Sequence, residues 1–170
     1  MNSPLPTPAL SPCKQIDTQI RTVDLFAGAG GLSEGFATFE PHPGYRPFRI
    51  IASVEKDAAA CQTLRLRRFY HHLLQSGDHE ALKAYYAYVR GDRDSPVDHA
   101  CPGTQTAWRE AENEVLDRVL GAPETASILR ERLDKAQINS RNRLMVIGGP
   151  PCQAVSVQTP LPFGRVPWDT

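Results

Sequence analysis

Cys152 stands in Gly148-Gly-Pro-Pro-Cys-Gln153, just beyond a short apolar run. A thiol attacks as its thiolate, and an ordinary cysteine, with a pKa near about 8.5, is only a few per cent ionised at neutral pH. A nucleophilic cysteine therefore needs a depressed pKa or a substrate that takes up charge. Pro150 and Pro151 stiffen the backbone and restrict the residues before them, so this loop would fix the direction of the thiol. The bland alternative is a small buried hydrophobe, the usual state of a free cysteine.

A second group of residues suits ligand binding. Gly28, Gly30 and Gly31 follow the run Ile20-Arg-Thr-Val-Asp-Leu-Phe26. Glycines between a strand and a helix let backbone N–H groups approach a ligand closely. The dinucleotide fingerprint G-x-G-x-x-G needs a glycine at position 33, where Ser33 stands. A ligand without phosphates, such as S-adenosylmethionine, fits better than a pyrophosphate. A tight turn without a ligand is the alternative. Glu55 ends the next apolar run, where a carboxylate can accept hydrogen bonds from two ribose hydroxyls. A nucleotide-binding oxidoreductase is a competing reading, weakened by Ser33 and by the Pro-Pro-Cys loop.

The elements that must position these groups are legible in part. Residues 20–26 and Phe48-Arg-Ile-Ile-Ala-Ser-Val54 read as buried strands, as does Arg143-Leu-Met-Val-Ile147. Leu32 to Phe39 reads as a helix with Leu32, Phe36 and Phe39 on one face, ended by Pro41 and Pro43. Asp57 is placed to cap a helix from Ala58 to about Gln75. This order begins a doubly wound α/β sheet. Residues from about 76 to 142 read as a helical insertion. One helix carries Leu82, Tyr85, Tyr86 and Val89, a second Trp108, Ala111, Val115 and Val119, and a third, opened near Pro123, Leu129, Leu133 and Ala136. Gly91 to Gly103 reads as a loop. Residues 1–19 read as a flexible leader and 158–170 as an irregular tail.

Composition narrows the class. The 170 residues are 41% hydrophobic and 22% charged, ordinary for a soluble globular chain. Lys+Arg and Asp+Glu balance at 19 each, which argues against a strong phosphate-binding surface on this segment alone. Cys13, Cys61, Cys101 and Cys152 show neither C-x-x-C spacing nor a disulfide framework, so a reduced, cytoplasmic compartment is expected. His71, His72, His79, His99 and Cys101 share one polar region without metal-ligand spacing and read as solvated residues; no metal is expected.

Taken together, these segments resemble the DNA (cytosine-5)-methyltransferases. Asp24-Leu-Phe-Ala-Gly-Ala-Gly-Gly-Leu-Ser-Glu-Gly-Phe36 is similar to the family's first signature and Ala52-Ser-Val-Glu-Lys-Asp57 to its second. Gly148-Gly-Pro-Pro-Cys-Gln153 is similar to its Pro-Cys signature, and the three follow the family's order. The resemblance implies a partial Rossmann-like sheet, S-adenosylmethionine as methyl donor and duplex DNA with a flipped cytosine as substrate, in DNA methylation of the restriction-modification kind. It implies that Cys152 adds to carbon 6 of the ring, so that carbon 5 becomes nucleophilic and is methylated. Phe26, Ala27, Gly28, Gly30, Gly31 and Lys56 would line the cofactor, and Glu55 would hold its ribose. Pro150 would border the cofactor and the flipped base. Asp92, in Gly91-Asp92, resembles the family's adenine-contacting acid.

The family's Glu-Asn-Val and Gln-x-Arg-x-Arg motifs do not occur in these 170 residues. The expectation is therefore a truncated catalytic domain over residues 20–157, completed by a second chain or left as an inactive cofactor-binding remnant. Such a chain on its own should bind the cofactor weakly and transfer no methyl group.

Overall fold

The structure, a computed structural model, describes residues 19–138 and 143–150. Along them run β1 (Ile20–Leu25), α1 (Gly31–Thr38), β2 (Phe48–Glu55), α2 (Ala58–Ser76), α3 (His79–Val89), α4 (Pro102–Glu114), β3 (Val115–Asp117), α5 (Pro123–Lys135) and β4 (Leu144–Gly148). The strands form one parallel sheet in the order β3-β2-β1-β4. The chain steps outward from β1 to β3, then returns to the far side of β1. That reversal is a topological switch point, and such sheets open their ligand crevice there, at the carboxyl ends of the strands. The fold is the expected α/β architecture, a partial Rossmann-like sheet.

The central strands are buried because parallel sheets carry helices on their faces. On β2, Ile50, Ala52, Ser53 and Val54 are buried; on β1, Arg21 through Asp24 are buried. The helix starts follow local rules. Asp57 caps α2 by accepting from Ala60 N at 2.8 Å, and Asp78 caps α3 by accepting from the amides of Glu80 and Ala81. Pro123 opens α5 at a position where its missing N–H costs nothing. Gly77 ends α2 in the left-handed conformation, with φ 66°.

Helices α2, α3 and α4 build a core of their own around Phe69, Leu73, Ala81, Ala107 and Ala111. Tyr85 and Trp108 meet the Phe69 ring edge-on at centroid distances of 5.8 and 5.4 Å. Burying a ring such as Phe69 stabilises by about 1.5–3 kcal/mol. Beside this core, Arg68 Nε donates to Glu114 Oε2 at 2.6 Å, joining α2 to α4.

Three expectations change. The helix read through Val115 and Val119 stops at Glu114, and Val115–Asp117 is β3, hydrogen-bonded to β2. Val115 and Leu116 are buried in the sheet, and pairing with β2 outweighs the helical spacing that links them to Trp108 and Ala111. The segment read as a helical insertion thus returns to the sheet before α5. On α1, the apolar face is largely outside: Leu32 is 47% and Phe39 51% exposed, while Ser33 and Ala37 are buried. Phe36 and Phe39 still touch a ring, that of Phe48 on β2. Strand β4, expected to be buried, is an edge strand with Val146 56% exposed among the described residues.

Candidate functional site

The glycine turn joins β1 to α1 at the carboxyl edge of the sheet. Glu55, the last residue of β2, is tied to it. Glu55 Oε2 accepts from Gly28 N at 2.8 Å, and Oε1 accepts from Lys56 N at 2.8 Å and Asp57 N at 2.9 Å. Burial raises the proton affinity of Glu55, but the amides of Asp57, Gly28 and Lys56 outweigh it and hold the carboxyl below its ordinary value. The acid is thus an anion held by backbone dipoles, with lone pairs left for further donors. Ala27 N donates to Val54 O at 3.1 Å, a second tie between the same two segments.

Each side of the turn has its own character. Gly30 has φ +85°, and a Cβ there would stand 2.4 Å from Leu64 Cδ1 on α2, so this side is packed. Gly28 has φ +55° and Gly31 begins α1; a Cβ on either would meet nothing within 4 Å, so this side is open. Phe26 holds φ 58° although it is a bulky aromatic, and is 41% exposed. Left-handed backbone at such a residue is strained and concentrates at functional sites. An open glycine cradle, an exposed ring and an organised carboxylate fit an adenosyl ligand with ribose hydroxyls to donate.

Strand β4 brings Gly148, the first residue of the third motif, to this edge. Gly148 pairs in register with Leu25, and a Cβ on it would stand 2.2 Å from the Leu25 carbonyl oxygen. Only glycine allows this approach. Pro150 follows, exposed, two residues past that register position. Cys152 lies outside the described residues. Among the expected cofactor residues, Phe26, Ala27, Gly28, Gly30, Gly31 and Glu55 gather on one sheet edge. Lys56 contributes its amide to Glu55, and its side chain is on the surface.

Asp117 was missed in the sequence. It ends β3 in register with Glu55, and Arg65 Nη2 lies 3.5 Å from its carboxylate. Its signal, an apolar pair followed by an acid, is too short to separate from the helix before it. Asp92 ends no strand of the sheet: it lies in the exposed turn after α3, paired with Arg90 at 2.9 Å. His79 and His99 are exposed, as expected, but two histidines differ from the solvated reading. His71 is buried, with Nε2 2.9 Å from Glu34 Oε2, and His72 lies between Glu110 and Glu114 at 3.0 and 3.2 Å. Among the described residues no group of three or more acidic, histidine or cysteine side chains could hold a metal ion.

Comparison with known proteins bears on this geometry. The sequence model of the C-5 cytosine-specific DNA methylase family matches residues 20–85, which hold β1, the glycine turn, Glu55 and α2. The chain is 34% identical over 150 residues to the Type II methyltransferase M.Bpa9945I of Bacillus paralicheniformis. Over these residues the chain is similar to the C-5 cytosine-specific DNA methylase family. The alignment covers 79% of this chain and 31% of that methyltransferase, so the chain spans about a third of its relative's length. No solved structure matches the chain. Among the described residues no helix is long and apolar enough to cross a membrane. The family match and the geometric site coincide on the glycine turn and Glu55.

Proposed function

We propose that the chain forms the S-adenosylmethionine-binding part of a DNA (cytosine-5)-methyltransferase (EC 2.1.1.37) and carries its nucleophile, Cys152. The observation that carries the reading is the bond from Gly28 N to Glu55 Oε2, which sets a carboxylate against an open glycine turn at the switch point of a parallel sheet. Glu55 would accept from the ribose hydroxyls, Phe26 would offer its exposed ring, and Gly28, Gly30 and Gly31 would leave room for the methionine end. Asp117, one strand further out, is a carboxylate within the same row of strand ends and takes the adenine-facing role in place of Asp92. The bound cofactor supplies an electrophilic methyl group.

The chain's own contribution to the chemistry is the thiol. Attack of the Cys152 thiolate on carbon 6 of an unstacked cytosine forms a carbon–sulfur bond and moves electron density to carbon 5. Gly148, Gly149 and Pro150, the described residues that precede Cys152, follow β4 beside the glycine turn, which supports the reading that nucleophile and methyl donor share one edge. DNA is the partner this reading requires, and the family relationship supports it.

The test is transfer of tritiated methyl groups from S-adenosylmethionine to duplex DNA by the protein carrying this segment. Transfer should be abolished by Cys152→Ser and reduced at least tenfold by Glu55→Gln. Transfer that persists in Cys152→Ser would exclude the covalent role.

A further inference from the structure

Beneath the glycine turn lies a buried polar group that the cofactor reading does not use. Asp24 on β1, Ser53 on β2 and Ser33 on α1 are all buried, with at most 1% of their surface exposed. Asp24 and Ser53 are register partners on adjacent strands, so their side chains leave the same face of the sheet. Neither oxygen of Asp24, nor Ser53 Oγ, has a hydrogen-bond partner among the described residues. Buried polar atoms are rarely left so without a role.

Helix α1 supplies the other half of the relationship. Its N-cap is Gly30, which has no side chain to accept from the first amides. Ser33 is the third helical residue, whose amide an N-cap side chain ordinarily serves. The Ser33 hydroxyl and amide both lie near enough to Asp24 to act on its charge, although neither closes a well-formed bond. Ser33 Oγ in turn donates to Gly30 O at 3.2 Å. The strand residue below the helix thus stands where Gly30 provides nothing.

We propose that Asp24 is a positioning residue for the glycine turn, fastening the Ser33 end of α1 from beneath so that the Gly28 amide stays aimed at Glu55. Burial, opposed by Ser33 and reinforced by the negative charge of Glu55, raises the Asp24 carboxyl above its ordinary value. An asparagine keeps the shape of the carboxyl and one acceptor oxygen, so it should replace Asp24. For its ligand arm this inference rests on the cofactor reading; for its exchange arm it does not.

The experiment compares the full chain with Asp24→Asn, Asp24→Ala and Ser33→Ala. Amide hydrogen exchange is read at Gly28, Gly30 and Glu34, with Leu82 on α3 as the internal reference, and each protein is titrated with S-adenosylmethionine. Asp24→Asn should stay within about threefold of the parent in both readouts. Asp24→Ala should speed exchange at the turn amides at least tenfold relative to Leu82 and weaken the cofactor at least tenfold. If Asp24→Ala does not fold, Ser33→Ala decides, with exchange at least threefold faster at the turn and unchanged at Leu82. Turn amides unaffected by the alanine variants, or Asp24→Asn as damaged as Asp24→Ala, would overturn the proposal. A parent chain that binds no cofactor but shows the exchange pattern would contradict the cofactor reading and leave this one standing.

Discussion

The Gly28 amide donates to Glu55 Oε2 at 2.8 Å, across 27 residues of sequence. One hydrogen bond thus joins the turn after β1 to the end of β2. A carboxylate so held need not reorganise when ribose hydroxyls arrive, and preorganised acceptors bind with less loss.

Glu55→Gln should uncouple these segments. A glutamine has one acceptor oxygen where Glu55 uses two, and its NH2 group faces at least one backbone N–H. Bonds to a charged acceptor contribute about 1.5–3 kcal/mol, so S-adenosylmethionine should bind at least tenfold more weakly, as read by titration. The pH dependence has a fixed sign. A carboxyl lowered on folding contributes stability above its unfolded value, and that stability is lost as pH falls through the folded value. Denaturant titrations below about pH 4.3 should show a smaller loss of stability in the variant than in the parent.

The two positive-φ glycines of the turn after β1 should respond differently to alanine. At Gly30 the new methyl meets Leu64, which is buried, at 2.4 Å. Left-handed strain of about 1–2 kcal/mol and overpacking of about 1–3 kcal/mol should lower stability by about 2–5 kcal/mol. At Gly28 the methyl meets nothing within 4 Å. There the conformational strain should act alone, and the larger effect should fall on ligand affinity, since the methyl enters the open side of the turn. Equilibrium unfolding and cofactor titration of the pair separate the two roles.

Much of this site follows from local rules that act over a few residues. The glycines, Glu55, the Asp57 cap and Pro123 are legible because turns, strand ends and helix starts leave local signals. Strand β3 is not, because Val115-Leu116-Asp117 is shorter than any period and continues the apolar spacing of α4. The exposure of Leu32, Phe39 and Val146 is also illegible, because an apolar stripe does not say what covers it. Asp24 and Ser53 look like ordinary polar interruptions of a strand; only their register makes them neighbours.

Glu114 should be among the most sensitive positions outside the site. It accepts from Arg68 at 2.6 Å, with side-chain exposures of 6% for Arg68 and 15% for Glu114. Burial raises the Glu114 carboxyl, but His72 and Arg68 outweigh it and lower it overall. Glu114→Gln leaves the Arg68 charge buried and uncompensated, which costs about 3–5 kcal/mol. Chemical denaturation at neutral pH checks the magnitude. On acidification the parent should lose this stabilisation as Glu114 takes up its proton.

Cys61 should be unreactive while the chain is folded. Its buried thiol is pushed up to about 11 by desolvation, with Asp117 adding to the effect, and Sγ lies 3.5 Å from Glu55 O. At pH 7.5 its modification by iodoacetamide, followed by peptide mapping, should be at least roughly a hundredfold slower than in denaturant, because the thiolate is the attacking form. Equal rates would mean that this segment opens readily.

The central claim is that the Gly28–Glu55 edge receives S-adenosylmethionine. Its most direct test is an NMR titration of the full chain with that cofactor, following the amides of Gly28, Gly30, Gly31, Lys56 and Asp57. The account predicts saturable shifts concentrated at these amides and at Asp117, with affinity at least tenfold weaker in Glu55→Gln. Shifts elsewhere on the chain, or equal affinity in the parent and Glu55→Gln, would contradict it.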